Sequence, residues 1–234
     1  MSSLVDTTWL ADHLEDEDIV ILEVSTDPPQ SAAYFTEHIP RAHYRYWKDL
    51  CWHDTDRDFP TPEVMADRLG KLGVGDQSTI VVVGDPIQFG SYAFWVLTMT
   101  GFGDKAVLLD GGRAAWIDAG HPSTSEIIEP RQAVVVPGPP VVDCRIARDE
   151  VRAGLGSSDR VLLDMRAPEE YSGERVAPAF IEFDHGAQRH GRIPGARHLY
   201  YQRLLTDEGK LKPAAELRAE FQGVGALHDG EIVT

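Results

Sequence analysis

The chain has 234 residues, enough for two domains of ordinary size, and 42% of them are hydrophobic. Its formal net charge of -16 would repel a phosphate backbone, which argues against nucleic acid or an anionic membrane as a partner. The first residues lack a signal-peptide pattern, and no apolar run approaches the roughly 18 residues of a membrane span, so we expect a cytoplasmic protein.

The first half of the chain predicts alternating strands and helices. A short helix after Leu4-Val5 is expected to be capped by Thr7 or Thr8, and the next helix begins at Thr61-Pro62. Between them, residues 34–44 predict a helical turn, a proline bend and a short strand. Strands are predicted over 4–5, 19–24, 79–83 and 106–109, with helices over 8–14, 62–70 and 114–117. This order indicates an α/β fold with a parallel sheet flanked by helices.

The stretch from Thr79 to Gly101 predicts a buried strand, a loop and an apolar helix. The loop is expected to run from Gly84 to Gly90. A helix N-terminus that follows such a loop presents backbone N–H groups and a positive dipole end to one point in space. The stretch therefore has the form of a cradle for an anion or a thiolate.

The second half of the chain repeats the first after a linker rich in proline, valine and glycine. We expect a first domain at 1–124, a linker at 125–142 and a second domain at 143–234. Elements recur in one order with a period of roughly 140 to 155 residues, which indicates an internal duplication. The second copy extends only about two residues past Ile232, so its C-terminal part is expected to be missing; the chain is truncated, nicked or naturally short, or that part is supplied elsewhere.

Four motifs in this order resemble those of a known family. They are Tyr34-x-x-x-His38-Ile39-Pro40-x-Ala42, Leu109-Asp110-Gly111-Gly112-x-x-x-Trp116, Asp164-Met165-Arg166-x-x-x-Glu170-Tyr171-x-Gly173 and Ile193-Pro194-Gly195-Ala196. Together they resemble the tandem-domain rhodaneses, which are thiosulfate and 3-mercaptopyruvate sulfurtransferases. Arg41 departs from the pattern, because glycine is usual at that position.

The resemblance implies two rhodanese-like domains, of which the first is inactive and the second carries a sulfur-accepting cysteine. That cysteine would lie about two residues beyond Thr234, so we expect no catalytic residue within this chain and no cofactor. The counterpart of the cysteine in the first copy is Gly84 or Asp85, and neither is a thiol. The partners implied are a small anionic sulfur donor, thiosulfate or 3-mercaptopyruvate, and cyanide or a thiol as acceptor.

Two arginines are the candidate substrate-binding residues. Arg166 follows a buried parallel strand, where open α/β sheets place ligands, and the family keeps an arginine there for the anionic substrate. The alternative is a structural ion pair with Asp164 or a nearby glutamate. Arg175 is a candidate second anion contact, or else a solvated surface arginine.

Other residues with reactive side chains fit simpler roles. Cys51 and Cys144 lie away from any predicted strand–loop–helix junction, so neither is expected to carry sulfur. The histidines at 185, 190 and 198 match no zinc spacing, and we predict no metal.

Two other functions stay open from the residues. The chain could be a non-catalytic rhodanese-like scaffold that binds anions or regulates another protein, or, further from the pattern, a phosphatase of related fold. A C-terminal fragment of the same protein, retained noncovalently, is a further possible partner, because a domain without it would lose much of its apolar burial.

Overall fold

The computed structural model describes residues 3–56, 58–177, 189–226 and 230–234. By its internal contacts the chain divides into a first unit, Met1–Cys144 with Glu208–Lys210, and a second unit, Arg145–Asp207 with Leu211–Thr234. None of the helices in these described ranges has the length and apolar character to cross a membrane.

The first unit is built on a five-stranded parallel sheet with the order β1-β5-β4-β2-β3. Its strands are β1 Leu4–Val5, β2 Ile19–Ser25, β3 His43–Tyr46, β4 Thr79–Asp85 and β5 Ala106–Leu109. Its helices are α1 Thr7–Asp12, α2 Trp47–Cys51, α3 Pro62–Gly70, α4 Ile87–Met99 and α5 Gly112–Asp118. The predicted α/β fold, with a parallel sheet flanked by helices, is confirmed.

Both faces of this sheet are covered by apolar side chains. Leu22 and Val82 pack on one face with side chains from α3 and α4, including Leu69 and Val96. On the other face Ile21 and Val81 pack with Leu10, Ile39, Val107, Leu109 and Trp116. Burial on both faces explains why β2 and β4 read as unbroken apolar runs.

Two local predictions in the first unit were wrong. The N-cap of α1 is Asp6, whose carboxylate accepts a hydrogen bond from Trp9 N at 2.7 Å, and Thr7 already lies within the helix. The expected loop from 84 to 90 is reduced to Pro86, since β4 runs to Asp85 and α4 starts at Ile87. The reason is close packing of the strand on the helix: a Cβ on Gly84 would lie 2.7 Å from the backbone N of Gly90.

The segment at 125–142 packs along the first unit. Ala133 N donates to Gly70 O at 2.9 Å, and Gly138 N donates to Gly101 O at 2.8 Å. Val135 is buried in the same core as α3 and α4. The stretch predicted as a linker therefore has fixed partners over part of its length.

The second unit has a three-stranded parallel sheet with the order β7-β6-β8. Its elements are α6 Arg148–Ala153, β6 Arg160–Asp164, α7 Pro168–Ser172, β7 Arg197–His198, α8 Ala214–Gly223 and β8 Glu231–Val233. β8 pairs with β6 starting at Arg160↔Glu231, just as β4 pairs with β2 starting at Ile19↔Thr79. The duplication inferred from the sequence therefore extends to strand register. Helix α7 was not predicted from the sequence.

Candidate functional site

The carboxyl end of β6 carries an ion pair between Asp164 and Arg166. Arg166 Nε donates to Asp164 Oδ1 at 2.9 Å and Nη2 donates to Oδ2 at 2.6 Å, while the backbone N of Arg166 also donates to Oδ1 at 3.1 Å. Burial alone would raise the pKa of Asp164, but the hydrogen bonds and positive charge of Arg166 outweigh it and hold that pKa below its usual value. The bidentate contact fixes the plane of the guanidinium, and the Arg166 side chain is 39% exposed.

Arg166 lines a cleft of about 830 Å³ that lies wholly within the second unit. The lining of the cleft includes five arginines, together with Asp164 and His190; the arginines are Arg148, Arg152, Arg166, Arg189 and Arg192. The lining also includes apolar side chains, among them Val151, Leu155, Leu162, Ile193 and Val233. A concentration of arginines is unusual for a chain with a net charge of -16, and it makes this cleft the candidate anion site.

Tyr171 joins the segment 189–198 to the end of β6. Its hydroxyl donates to Ala196 O at 2.9 Å, and its ring stacks on His198 with centroids 4.5 Å apart. His198 Nε2 in turn lies 2.9 Å from Arg166 O. These contacts hold the Ile-Pro-Gly-Ala bend beside the candidate anion site.

Arg192 is a cleft residue that the sequence reasoning missed. Its guanidinium lies 4.4 Å from the centroid of the Tyr171 ring and donates to Tyr171 O at 3.1 Å. Its position directly before the Ile193-Pro194-Gly195-Ala196 motif is the feature of the sequence that could have identified it as a candidate. The corresponding position of the first copy is His38, which stacks on Tyr34 at 3.9 Å.

The other predicted residues of the second unit have distinct positions. Glu170, which is buried, accepts a hydrogen bond from Ala167 N at 3.1 Å and so caps α7 next to Arg166. Arg175 Nε donates to Ala177 O at 3.3 Å, and Arg175 does not line the cleft. The structure therefore places Arg166 at the candidate site and Arg175 outside its lining.

In the first unit, charged side chains surround the junction of β4 and α4. Arg113 Nη2 donates to Asp85 Oδ2 at 2.6 Å, and Arg113 Nε lies 3.6 Å from Glu23 Oε2. Burial raises the pKa of Glu23 to about 8, although the hydrogen bond from Ile39 N and the charge of Arg113 lower it. This junction holds two carboxyl groups and a guanidinium where a sulfur cradle would need a thiol.

The two cysteines differ in environment but neither lies at a strand–helix junction. Cys51 is fully buried on α2, and burial raises the pKa of its thiol to about 12. Cys144 Sγ donates to Val141 O at 2.9 Å. Among the residues that the structure describes, no group of three or more His, Cys, Asp or Glu side chains could hold a metal ion; His185 lies outside those residues.

Comparison with known proteins gives consistent matches. The family model described as "Rhodanese-like domain" matches residues 6–119. The sulfur carrier protein TtuD of Thermus thermophilus is 35% identical over 240 residues, covering 98% of this chain and 80% of that protein. A Haloferax volcanii protein, named as a candidate thiosulfate sulfurtransferase, is 35% identical over 237 residues with the same coverage.

A solved structure matches nearly the whole chain. It is the crystal structure of SseA from Escherichia coli, described with the rhodanese fold and catalytic mechanism of 3-mercaptopyruvate sulfotransferases. The TM-score is 0.80 at 25% sequence identity, and the match covers 99% of this chain and 87% of SseA.

Proposed function

This chain belongs to the rhodanese-like sulfurtransferase family, and on that premise we propose that it transfers sulfane sulfur from thiosulfate, or from 3-mercaptopyruvate, to cyanide or a thiol. The sulfur carrier in this proposal is a cysteine that follows Thr234, in the turn after β8. The names of the Haloferax volcanii and Escherichia coli proteins support the two donors.

The register of β8 against β6 is the observation that carries the proposal. The pair Arg160↔Glu231 in the second repeat corresponds to Ile19↔Thr79 in the first. In the same alignment, Leu162↔Val233 corresponds to Ile21↔Val81. If β8 continues in the same register, the counterparts of Gly84 and Asp85 lie about two to three residues after Thr234. They are then opposite Met165 and Arg166. A nucleophile in that turn would therefore lie beside the arginine held by Asp164.

The chemistry proceeds in two displacements. The cysteine thiolate attacks the outer sulfur of thiosulfate, the S–S bond of the donor breaks with its electron pair on sulfite, and a cysteine persulfide forms. Cyanide then attacks the terminal sulfur of the persulfide, which releases thiocyanate and restores the thiolate. A helix N-terminus after the turn would stabilise both the thiolate and the persulfide anion.

Arg166 has the role of binding the anionic donor. A guanidinium presents a planar set of N–H donors that match a sulfonate or a carboxylate, and Asp164 fixes its plane at the cleft. Arg175 is proposed as a second anion contact of lesser weight, because it lies outside the cleft lining. Arg192 adds positive charge at the same cleft.

Thiocyanate formation tests the proposal. Protein expressed from its complete coding sequence should convert thiosulfate and cyanide to sulfite and thiocyanate, and intact mass should show a gain of one sulfur atom after donor alone. Replacement of the cysteine after β8 by Ser should abolish both signals. Turnover that survives this replacement would place the nucleophile elsewhere, and absence of turnover with either donor would favour an anion-binding scaffold.

A further inference from the structure

Arg166 is held through its main chain as well as through its side chain. The carbonyl oxygen of Met165 accepts a hydrogen bond from Tyr201 N at 3.0 Å, and Arg166 N donates to Asp164 Oδ1 at 3.1 Å. Both polar groups of the peptide that precedes Arg166 are therefore bonded. Because a peptide group is planar, two such bonds leave it little freedom to rotate.

The peptide group that follows Arg166 is also bonded at both ends, in this case by two side chains. His198 Nε2 lies 2.9 Å from the carbonyl oxygen of Arg166, and Ala167 N donates to Glu170 Oε2 at 3.1 Å. A carbonyl oxygen only accepts hydrogen bonds, so Nε2 carries the proton in this contact. The glutamate belongs to α7, and the histidine belongs to β7, which pairs with β6 at Asp164↔His198.

In the first repeat the corresponding side chains make different contacts. Strand register gives the counterparts of Asp164, Arg166 and His198, which are Glu23, Ser25 and Tyr44. The hydroxyl of Tyr44 donates to the carbonyl oxygen of Asp27, two residues beyond Ser25. The carboxyl group of Glu23 accepts a hydrogen bond from Ile39 N at 2.8 Å. Where Ser25 stands in place of the arginine, both side chains are thus bonded elsewhere.

We propose that His198 is a positioning residue for the sulfur donor and that it acts through Arg166. It holds the carbonyl end of the peptide that follows Arg166, while Glu170 holds the N–H end of the same peptide. The direction in which the arginine side chain leaves the main chain is thereby fixed, and Asp164 then fixes the plane of the guanidinium. The inference rests on the proposed function, in which Arg166 binds the anionic donor.

Substitutions at His198 separate its hydrogen bond from its stacking on Tyr171, and are made in protein expressed from its complete coding sequence. A glutamine side chain places an amide N–H group close to the position of Nε2 but has no ring, and a leucine side chain has neither. His198→Leu should raise the KM for thiosulfate about tenfold with kcat little changed, whereas His198→Gln should stay within about twofold of the parent. A purely structural role would instead lower kcat through the folded fraction and leave KM unchanged, which would overturn the inference.

A double-mutant cycle shows whether His198 acts through Arg166. In an Arg166→Lys background the planar fork is already lost, so His198→Leu should raise KM by less than about twofold further. Independent, multiplying effects of the two substitutions would overturn the inference.

His13→Leu is the matched control for the loss of a histidine. His13 Nδ1 lies 2.7 Å from Trp9 O, and its ring stacks on Trp9 with centroids 4.3 Å apart, so the variant also loses one carbonyl contact and one stacked ring. This histidine precedes β2, at the end of the strand opposite to its carboxyl end. The variant should leave KM unchanged, and a rise equal to that in His198→Leu would overturn the inference.

Two measurements that need no turnover separate this inference from the proposed function. Long-range ¹H–¹⁵N spectra should show the proton of neutral His198 on Nε2, and a proton on Nδ1 would overturn the inference because the donor would be lost. Calorimetric titration with thiosulfate gives the Kd directly. If the parent transfers no sulfur but His198→Leu raises this Kd about tenfold, the proposed function fails and the positioning of Arg166 stands. Sulfur transfer with the same KM in parent and His198→Leu gives the opposite result, and absence of both turnover and thiosulfate binding overturns both.

Discussion

The hydroxyl of Tyr171 donates a hydrogen bond to the backbone carbonyl of Ala196, 2.9 Å away, and the same contact joins Tyr34 to Ala42 at 2.6 Å in the first repeat. In each repeat a tyrosine thus anchors the alanine that ends the Ile-Pro-x-Ala bend. The tyrosine and the alanine are 8 residues apart along the chain in the first repeat and 25 residues apart in the second. The contact is therefore independent of the length of the connection.

Phenylalanine substitution measures this anchor. Tyr171→Phe should reduce the free energy of unfolding by about 1 kcal/mol, the usual net contribution of a hydrogen bond. Tyr34→Phe should cost more, because Tyr34 is buried and the carbonyl of Ala42 would be left without its partner away from water. Urea unfolding monitors both; equal and negligible changes would mean that the stacking alone holds the bends.

Arg166 substitution tests donor binding in protein that carries the cysteine. Arg166→Lys replaces the planar fork by a point charge and should raise the KM for thiosulfate about tenfold, with kcat little changed, as expected for lost ground-state binding. Arg175→Ala should have a smaller effect. Arg218→Ala is the control for a removed surface charge, and an unchanged KM in Arg166→Lys would assign the Asp164 pair a purely structural role.

The buried Glu23 should make the first unit less stable at high pH. Its pKa in the fold, about 8, lies above its ordinary value of 4.5, so the folded chain favours the protonated carboxyl. The resulting stabilisation is fully present below about pH 4.5 and is lost as pH rises through about 8. Glu23→Gln should flatten the fall in Tm between pH 5 and 8, whereas an identical slope in the variant would contradict the assignment.

The two cysteines should differ in reactivity. Cys51 is fully buried with a pKa raised to about 12, so iodoacetamide at pH 8 should leave it unmodified in the folded chain. Cys144 is half-buried and should be alkylated first. Mass spectrometry of digested protein distinguishes the two sites, and alkylation in urea is the control that both thiols can react.

Arg41 adopts a left-handed conformation with φ of 67°, as does its counterpart Gly195 with φ of 83°. Arg41 Nη2 donates to Asp16 O at 3.0 Å, and Nη1 donates to Leu14 O, so its side chain offsets the strain. Arg41→Ala should lose these bonds and keep the strain, and should be about 1 kcal/mol less stable than Arg41→Gly. Equal midpoints in urea would show that the backbone at this bend is unstrained.

Much of the fold followed from local pattern. Unbroken apolar runs at Ile19 and Thr79 predicted strands buried on both faces, and the two repeated Ile-Pro-x-Ala bends predicted a duplicated architecture. The prediction of a loop at 84–90 was wrong because the structure there depends on how closely β4 and α4 pack at Gly84 and Gly90. Local residue propensities contain no information about that packing. Asp6, likewise, caps α1 because its backbone is extended at that point.

The sequence by itself determined the family, most of the strands and helices in their chain order, and the positive charge of Arg166 at a strand end. Only the tertiary structure decided that Asp164 holds this guanidinium in a bidentate pair and that Arg192 lies on the ring of Tyr171. It also separated Arg166, on the cleft, from Arg175, outside its lining. The physical reason is that the contact of Arg192 with Tyr171 and the lining of the cleft are set by the approach of segments distant in the sequence, and spacing along one segment does not encode that approach.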